Sequence, residues 1–301
     1  MNKKNLILGG VLIILIVFAY IYQGPVKEWR ESRGLAKNFL AGVSLEMIDR
    51  VEIKKGGETV TLEKEEAGWK ISGTKDFYVN EKVAESLTFA LEKIGEKKLE
   101  LVGKNIDNKE AFKTDESGIG IKIIQVDEEF NFVVGKTTPD FSGSYICENG
   151  SEKTYRINLN LIVFDQEEWR DNQIFSFMPE RVNKMRFQYP DRQFWVEKME
   201  DKWKGILPWA FSVNEEKINE ILETVGNLKA IKIPEQNFEG TGLEKNLVIA
   251  QIVGENIDET IMVGQESEGG QYFAKKGNSD NIYLISKEDR DILNRTTIDL
   301  K

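Results

Sequence analysis

Ile48-Asp49-Arg50-Val51-Glu52-Ile53 opens a run, ending near Val83, whose landmarks return 134 positions later. Val51-Glu52-Ile53 is answered by Met185-Arg186-Phe187, and Leu62-Glu63-Lys64 by Val196-Glu197-Lys198. Trp69-Lys70 is answered by Trp203-Lys204, and Val79-Asn80-Glu81 by Val213-Asn214-Glu215. A constant offset across four separate landmarks makes the chain a duplication. Further on the offset drifts, as loops of unequal length require. Val134-Gly135 still answers Val263-Gly264, Tyr145 answers Tyr272, Tyr155 answers Tyr283, and Cys147 falls opposite Ala274.

Within the first copy, Val51, Ile53, Val60 and Leu62 alternate with polar residues on either side of Gly56-Gly57, the pattern of a two-stranded hairpin. Trp69 and Ile71 alternate in a third strand. The period then changes. Asn80 is placed to cap a helix whose Val83, Leu87, Ala90, Leu91 and Ile94 share one face, ended by Gly95. After a polar loop, Ile119-Ile121-Ile123 and Phe130-Phe132-Val134 form a second hairpin, followed by strands at Ser144 to Cys147 and Thr154 to Asn158. The second copy repeats these parts, with a helix from Asn214 carrying Ile218, Ile221, Leu222, Val225 and Leu228. Its later strands fall at Leu247 to Val253, Thr260 to Val263, Gln271 to Ala274 and Ile282 to Ile285. The fold class is therefore α+β: two tandem domains, each a mostly antiparallel sheet under one main helix.

Ahead of the repeats, Lys3 and Lys4 precede 22 positions, Asn5 to Val26, without a charge. Twenty-two helical residues reach roughly 33 Å, about the hydrocarbon thickness of a bilayer. Leu6, Ile7, Leu8, Val11, Leu12, Ile13, Ile14, Leu15, Ile16, Val17 and Phe18 supply the apolar surface of a transmembrane anchor, and Tyr20 and Tyr22 suit its far interface. The exit Phe18-Ala19-Tyr20-Ile21-Tyr22-Gln23 offers no convincing small-x-small cleavage site, so an uncleaved anchor is expected ahead of the rival readings, a cleaved signal peptide and a buried soluble helix. The short basic head predicts a cytoplasmic N-terminus and an extracytoplasmic bulk, although Lys27, Arg30, Arg33 and Lys37 crowd the other flank. The expected organisation is 1–26 anchor, 27–44 helical stalk, 45–164 first repeat, 165–179 short helical connector and 180–301 second repeat.

Composition removes several chemistries. With 41 basic and 51 acidic residues, the formal charge is −10 and the basic footprint of a nucleic-acid binder is missing. The chain has no histidine, hence no histidine triad base and no neutral-pH histidine switch. Its one cysteine, Cys147, can form neither an internal disulfide nor a Cys-x-x-Cys site. Ser72-Gly73-Thr74-Lys75 and Ser279-Asp280-Asn281 spell two elements of penicillin-recognising enzymes. They fall in different repeats, Ser72 follows a strand instead of opening a helix, and the Lys-Thr-Gly element is absent. Recurrent Trp, Val, Gly and Tyr positions read as core and turns. Trp209 and Phe211, beside Pro208, have no comparable bulk in the first repeat and are the candidate partner surface. No catalytic residue, cofactor or metal is expected.

The anchor, the approach Phe39-Leu40 and the strand Ile48-Asp49-Arg50-Val51-Glu52-Ile53 form an ordered set with Leu62-Glu63-Lys64 and Trp69-Lys70-Ile71. Val134-Gly135-Lys136, Arg170-Asp171 and Phe238-Glu239-Gly240-Thr241-Gly242-Leu243 complete it. In that order they resemble a bacterial family of unknown function, number four-three-four-zero in its naming series. The resemblance covers nearly the whole chain, although the first repeat lacks a plain Gly-Leu before Ile119. It implies a single-pass extracytoplasmic protein, encoded beside ABC-type transporter genes that accompany gliding-motility components, and it carries over no catalytic residue. The expected partners are the lipid bilayer and a protein, either a transporter or a cell-envelope component, and the expected function is non-enzymatic interaction. The alternative is an envelope ligand-binding or hydrolytic protein with a site between the repeats.

Overall fold

The computed structural model describes residues 35–73, 75–245 and 248–301. These fall into two compact units, one of 35–64 with 85–167 and the other of 65–84 with 168–301. The anchor lies outside the described residues. Among the described residues no helix is long and apolar enough to cross a membrane.

In chain order the strands are β1 (Leu35–Ala36), β2 (Ile48–Lys55), β3 (Glu58–Glu65), β4 (Gly68–Ile71), β5 (Leu99–Gly103), β6 (Ile119–Gln125), β7 (Glu129–Thr137), β8 (Ser144–Glu148) and β9 (Thr154–Ile157). The second series is β10 (Val182–Gln188), β11 (Gln193–Met199), β12 (Lys202–Leu207), β13 (Phe211–Ser212), β14 (Val248–Gly254), β15 (Ile257–Glu266), β16 (Tyr272–Lys276) and β17 (Tyr283–Ile285). The helices are α1 (Glu81–Ile94), α2 (Ile106–Phe112), α3 (Glu215–Gly226) and α4 (Lys287–Leu293). They build two antiparallel sheets, of order β1-β5-β9-β8-β7-β6-β2-β3-β4 and β13-β12-β11-β10-β14-β15-β16-β17. The architecture is α+β.

Register shows how closely the copies agree. Val51 faces Leu62 on one side and Ile123 on the other, and Met185 faces Val196 and Ile252. All six are buried, because in a strand every second side chain returns to the same face and here that face is the core. Asn80 and Asn214 cap α1 and α3 alike, each side-chain oxygen accepting from an N–H two residues on, Lys82 and Glu216. Leu87, Leu91 and Ile94 of α1 and Ile221, Val225 and Leu228 of the second copy are buried at matching positions. At about 1.5–3 kcal/mol for each such side chain, burial outweighs the intrinsic propensity of a helix of three or four turns.

One register differs from the sequence reading. Val134 faces Ile146 and Val263 faces Ala274, so Ala274 answers Ile146 and not Cys147. Tyr145 accordingly answers Phe273. Cys147 is buried, and its thiol lies within hydrogen-bonding reach of the Glu148 and Ser151 carbonyls.

Neither approach segment is the expected helix over the described residues. Leu35–Ala36 is a strand paired with Leu99 and Glu100 of β5, and Leu40 is fully buried. Asn38 explains the extended path: its side-chain amide donates to the carbonyls of Ile94, Gly95 and Lys97 at 2.8, 3.2 and 2.8 Å, closing the C-terminal end of α1. In the second unit Asn172 donates to Ala230 O at 3.1 Å, and Gln173 donates to Leu228 O at 3.3 Å, just beyond α3. Carbonyls at the end of α1 in the first unit, and just past α3 in the second, hold the incoming chain extended.

Candidate functional site

Trp209 and Phe211 do not form one surface. Trp209 stands in the link from β12 to β13 and is 61% exposed. Phe211 pairs with Gly205 across the sheet and is buried. A Cβ at Gly205 would come within 2.2 Å of the Phe211 ring, so the glycine makes the room that the ring fills. Only Trp209 remains as an exposed candidate.

The two serine motifs do meet, contrary to their separation in sequence. Lys75 Nζ donates to Asp280 O at 2.8 Å, and the Asn281 side chain accepts from Asp76 N–H at 3.4 Å and donates to Asp76 O at 3.3 Å. All of these residues belong to the second unit. The contact is made by side chains on main-chain groups. Activation of a serine requires a base within hydrogen-bond reach, and among the described residues no hydrogen bond joins Ser72 to Lys75, whose ammonium sits 4.5 Å from the Phe238 ring centroid. Asn281 is buried and satisfied by main-chain groups, as a clasp must be.

A different place in the first unit gathers chemistry. The β7–β8 ladder slips between Val134 and Thr137, and Gly135 in that bulge lies where a Cβ would meet Phe112 O at 2.2 Å. Beside the bulge is a cavity of about 280 Å³, lined by Lys55, Lys113, Lys136, Ser144, Ile162 and Asp165 among others. Lys113 follows α2 with φ +54°, a left-handed C-cap that turns the chain toward β6. Lys136 donates to Ala111 O at 2.7 Å, and Lys55 pairs with Asp165 at 2.5 Å. That bond raises the Lys55 pKa, the Asp165 hydrogen bond being the largest cause. Ser144 is buried, and its Oγ accepts from Leu161 N–H at 2.9 Å.

The loop next to this cavity is tightly held. Thr138 Oγ1 donates to Asp140 at 2.6 Å, Ser142 donates to Asp140 through both its hydroxyl and its N–H, and Arg156 reaches the same carboxylate at 3.3 Å. These donors, the Thr138 hydroxyl first, pull the Asp140 pKa down to about 2. The turn they fix holds Phe141 at φ +58° with its side chain 74% exposed. Asn160 ties the two neighbouring loops together, donating to Phe141 O at 3.2 Å and accepting from Ile162 N–H at 2.9 Å. Sequence reading missed the cavity because Lys55, Lys113, Lys136, Ser144 and Asp165 come from five separate segments. The one signal open to it was the motif Val134-Gly135-Lys136.

Among the described residues no group of three or more His, Cys, Asp or Glu side chains is placed to hold a metal ion. Compared with known proteins, the chain matches a family model described as "Domain of unknown function (DUF4340)", over residues 96–246 and again over 208–301. No curated protein and no solved structure matches it.

Proposed function

The chain belongs to the DUF4340 family, and from that premise we propose that it is a membrane-tethered, extracytoplasmic, non-enzymatic interaction protein that accompanies an ABC-type transporter or cell-envelope complex. In this reading residues 1–26 anchor it, the N-terminus is cytoplasmic, and two sheet domains, each under its main helix, lie outside. The observation that carries the proposal is the uncharged run Asn5 to Val26 behind Lys3 and Lys4, followed by a duplicated pair of domains. Such a run is long enough to span once, and two related domains on one tether raise effective concentration at a partner. The duplicated positions support a non-enzymatic role, since what recurs is buried sheet core and helix caps. Trp209 is the exposed aromatic most suited to a partner contact.

The test is crosslinking in intact cells, then detergent extraction, affinity capture and mass spectrometry. Transporter or envelope subunits should be recovered with the full chain and lost when Leu6 to Tyr22 is replaced by a cleaved leader. Protease added to intact spheroplasts should degrade the two domains. A protected chain, or one that fractionates away from membranes, would refute the tethered arrangement.

A further inference from the structure

Because the two sheets repeat one strand register, positions that differ between the copies separate a local specialisation from the shared scaffold. Strand register aligns Lys55 with Tyr189, and the common bulge aligns Lys136 with Gln265. The turn after the bulge also aligns: Phe141 N–H bonds Thr138 O at 2.9 Å, and Gly270 N–H bonds Ser267 O at 3.0 Å. Phe141 and Gly270 both have positive φ, +58° and +78°. Glycine adopts that conformation freely, whereas a bulky side chain is strained there. The first copy thus places an exposed ring on a strained backbone and gains no burial for it. Strain of this kind persists where the surroundings enforce it, here the Asp140 network, and it clusters at binding sites.

The same end of the first copy concentrates positive charge on a chain whose formal net charge is −10. Three lysines and one aspartate, Asp165, line the cavity, and the Glu167 carboxylate also acts on Lys55. Asp165 holds Lys55, and among the described residues Lys113 has no ion-pair partner. Ser144 lines the cavity with 1% exposure. Its oxygen is used by Leu161 N–H, while among the described residues no acceptor takes its hydroxyl proton. A buried hydroxyl with an unspent donor beside a surplus of cations is the complement of an anion with several acceptor oxygens. Lysines act as point charges and suit a tetrahedral phosphate, whereas a planar carboxylate favours the arginine fork.

We propose that this cavity binds a phosphate group, its oxygens taken by Lys55, Lys113, Lys136 and the Ser144 hydroxyl, with Ile162 on its wall and Phe141 on the adjoining loop to meet the apolar body that carries it. The site does not depend on the tethering proposed above. A free phosphate ester and a phospholipid headgroup share this chemistry.

The experiment uses the full chain in phosphatidylcholine nanodiscs and reads the rate at which an amine-reactive reagent labels Lys113 and Lys136, by mass spectrometry. Inorganic phosphate and glycerol phosphate are titrated against acetate, and a parallel arm replaces part of the phosphatidylcholine with phosphatidylglycerol. Protection by soluble phosphates but not by acetate identifies a phosphate-ester site. Protection only in phosphatidylglycerol discs, reduced by Phe141→Gly, identifies a headgroup site. The double variant Lys113→Gln with Lys136→Gln changes two exposed side chains, and calorimetric affinity for the protecting species should fall by roughly tenfold or more. Equal protection by acetate, no protection in any arm, or unchanged affinity in the double variant would overturn the proposal.

Discussion

The same strand exit is finished in opposite ways in the two units. In the second, Tyr189 is buried, donates to Leu293 O at 2.7 Å and accepts from Arg295 N–H at 3.1 Å, and so fastens the end of α4. In the first, the matching residue is exposed Lys55 on a cavity wall. There a single 3₁₀ turn, Ile162–Phe164, follows β9 where α4 follows β17. One copy has closed that end with a hydrogen-bonded aromatic, and the other has kept it open and charged. A shared sheet thus specifies a scaffold, and the departures at its loop end show which copy has acquired a surface chemistry of its own.

Four measurements sharpen or break this contrast. The largest effect should come from the shared core. Leu87→Ala and Ile221→Ala remove equivalent, fully buried residues, and each should cost about 2–5 kcal/mol in denaturant unfolding. Strongly unequal losses would show that the two helices are not held alike. Next, Tyr189→Phe should cost about 1–3 kcal/mol by stranding buried partners, whereas Lys55→Gln should stay within about 0.5 kcal/mol. Equal costs would erase the distinction between the closed and open ends.

Alkaline titration examines the same residue. Burial pushes the Tyr189 pKa up from 10.0 to about 12. A folded pKa above the unfolded one means stabilisation that is complete below pH 10 and lost as pH rises toward 12. That loss should be roughly 2–3 kcal/mol and absent in Tyr189→Phe. The smallest effect concerns the twin turns. Gly270→Ala should destabilise by about 1–2 kcal/mol, since it places a Cβ in a left-handed conformation. Phe141→Gly should be neutral or stabilising by up to about 1 kcal/mol. A clear loss on Phe141→Gly would mean that the ring is held by packing.

Legibility in the sequence followed the range of the interaction. The hairpins β2–β3 and β6–β7 and the capped helices α1 and α3 were readable because each is signalled by neighbours: alternation, Gly56-Gly57, Asn80, Asn214. Strand β5 was not, because Leu99–Gly103 pairs with residues more than fifty positions away and has no regular alternation of burial. The short helix α2 was hidden in a polar loop by its charged composition. The extended paths of 35–36 and 172–173 depend on carbonyls at or just past distant helix ends, which no local pattern announces. The cavity was illegible for the same reason, as Lys55, Lys113, Lys136, Ser144 and Asp165 mean little until the bulge brings them together.

By itself, then, the sequence determined the duplication, the α+β alternation and the family, because offset, period and motif order are properties of the chain alone. Tertiary structure decided the rest. It set the one-residue register that matches Ala274 to Ile146, buried Phe211 while leaving Trp209 exposed, and brought three lysines around one cavity. Each of these outcomes is fixed by pairing and packing between segments far apart in sequence, where a shift of one residue reverses which side chain meets the core and which meets water.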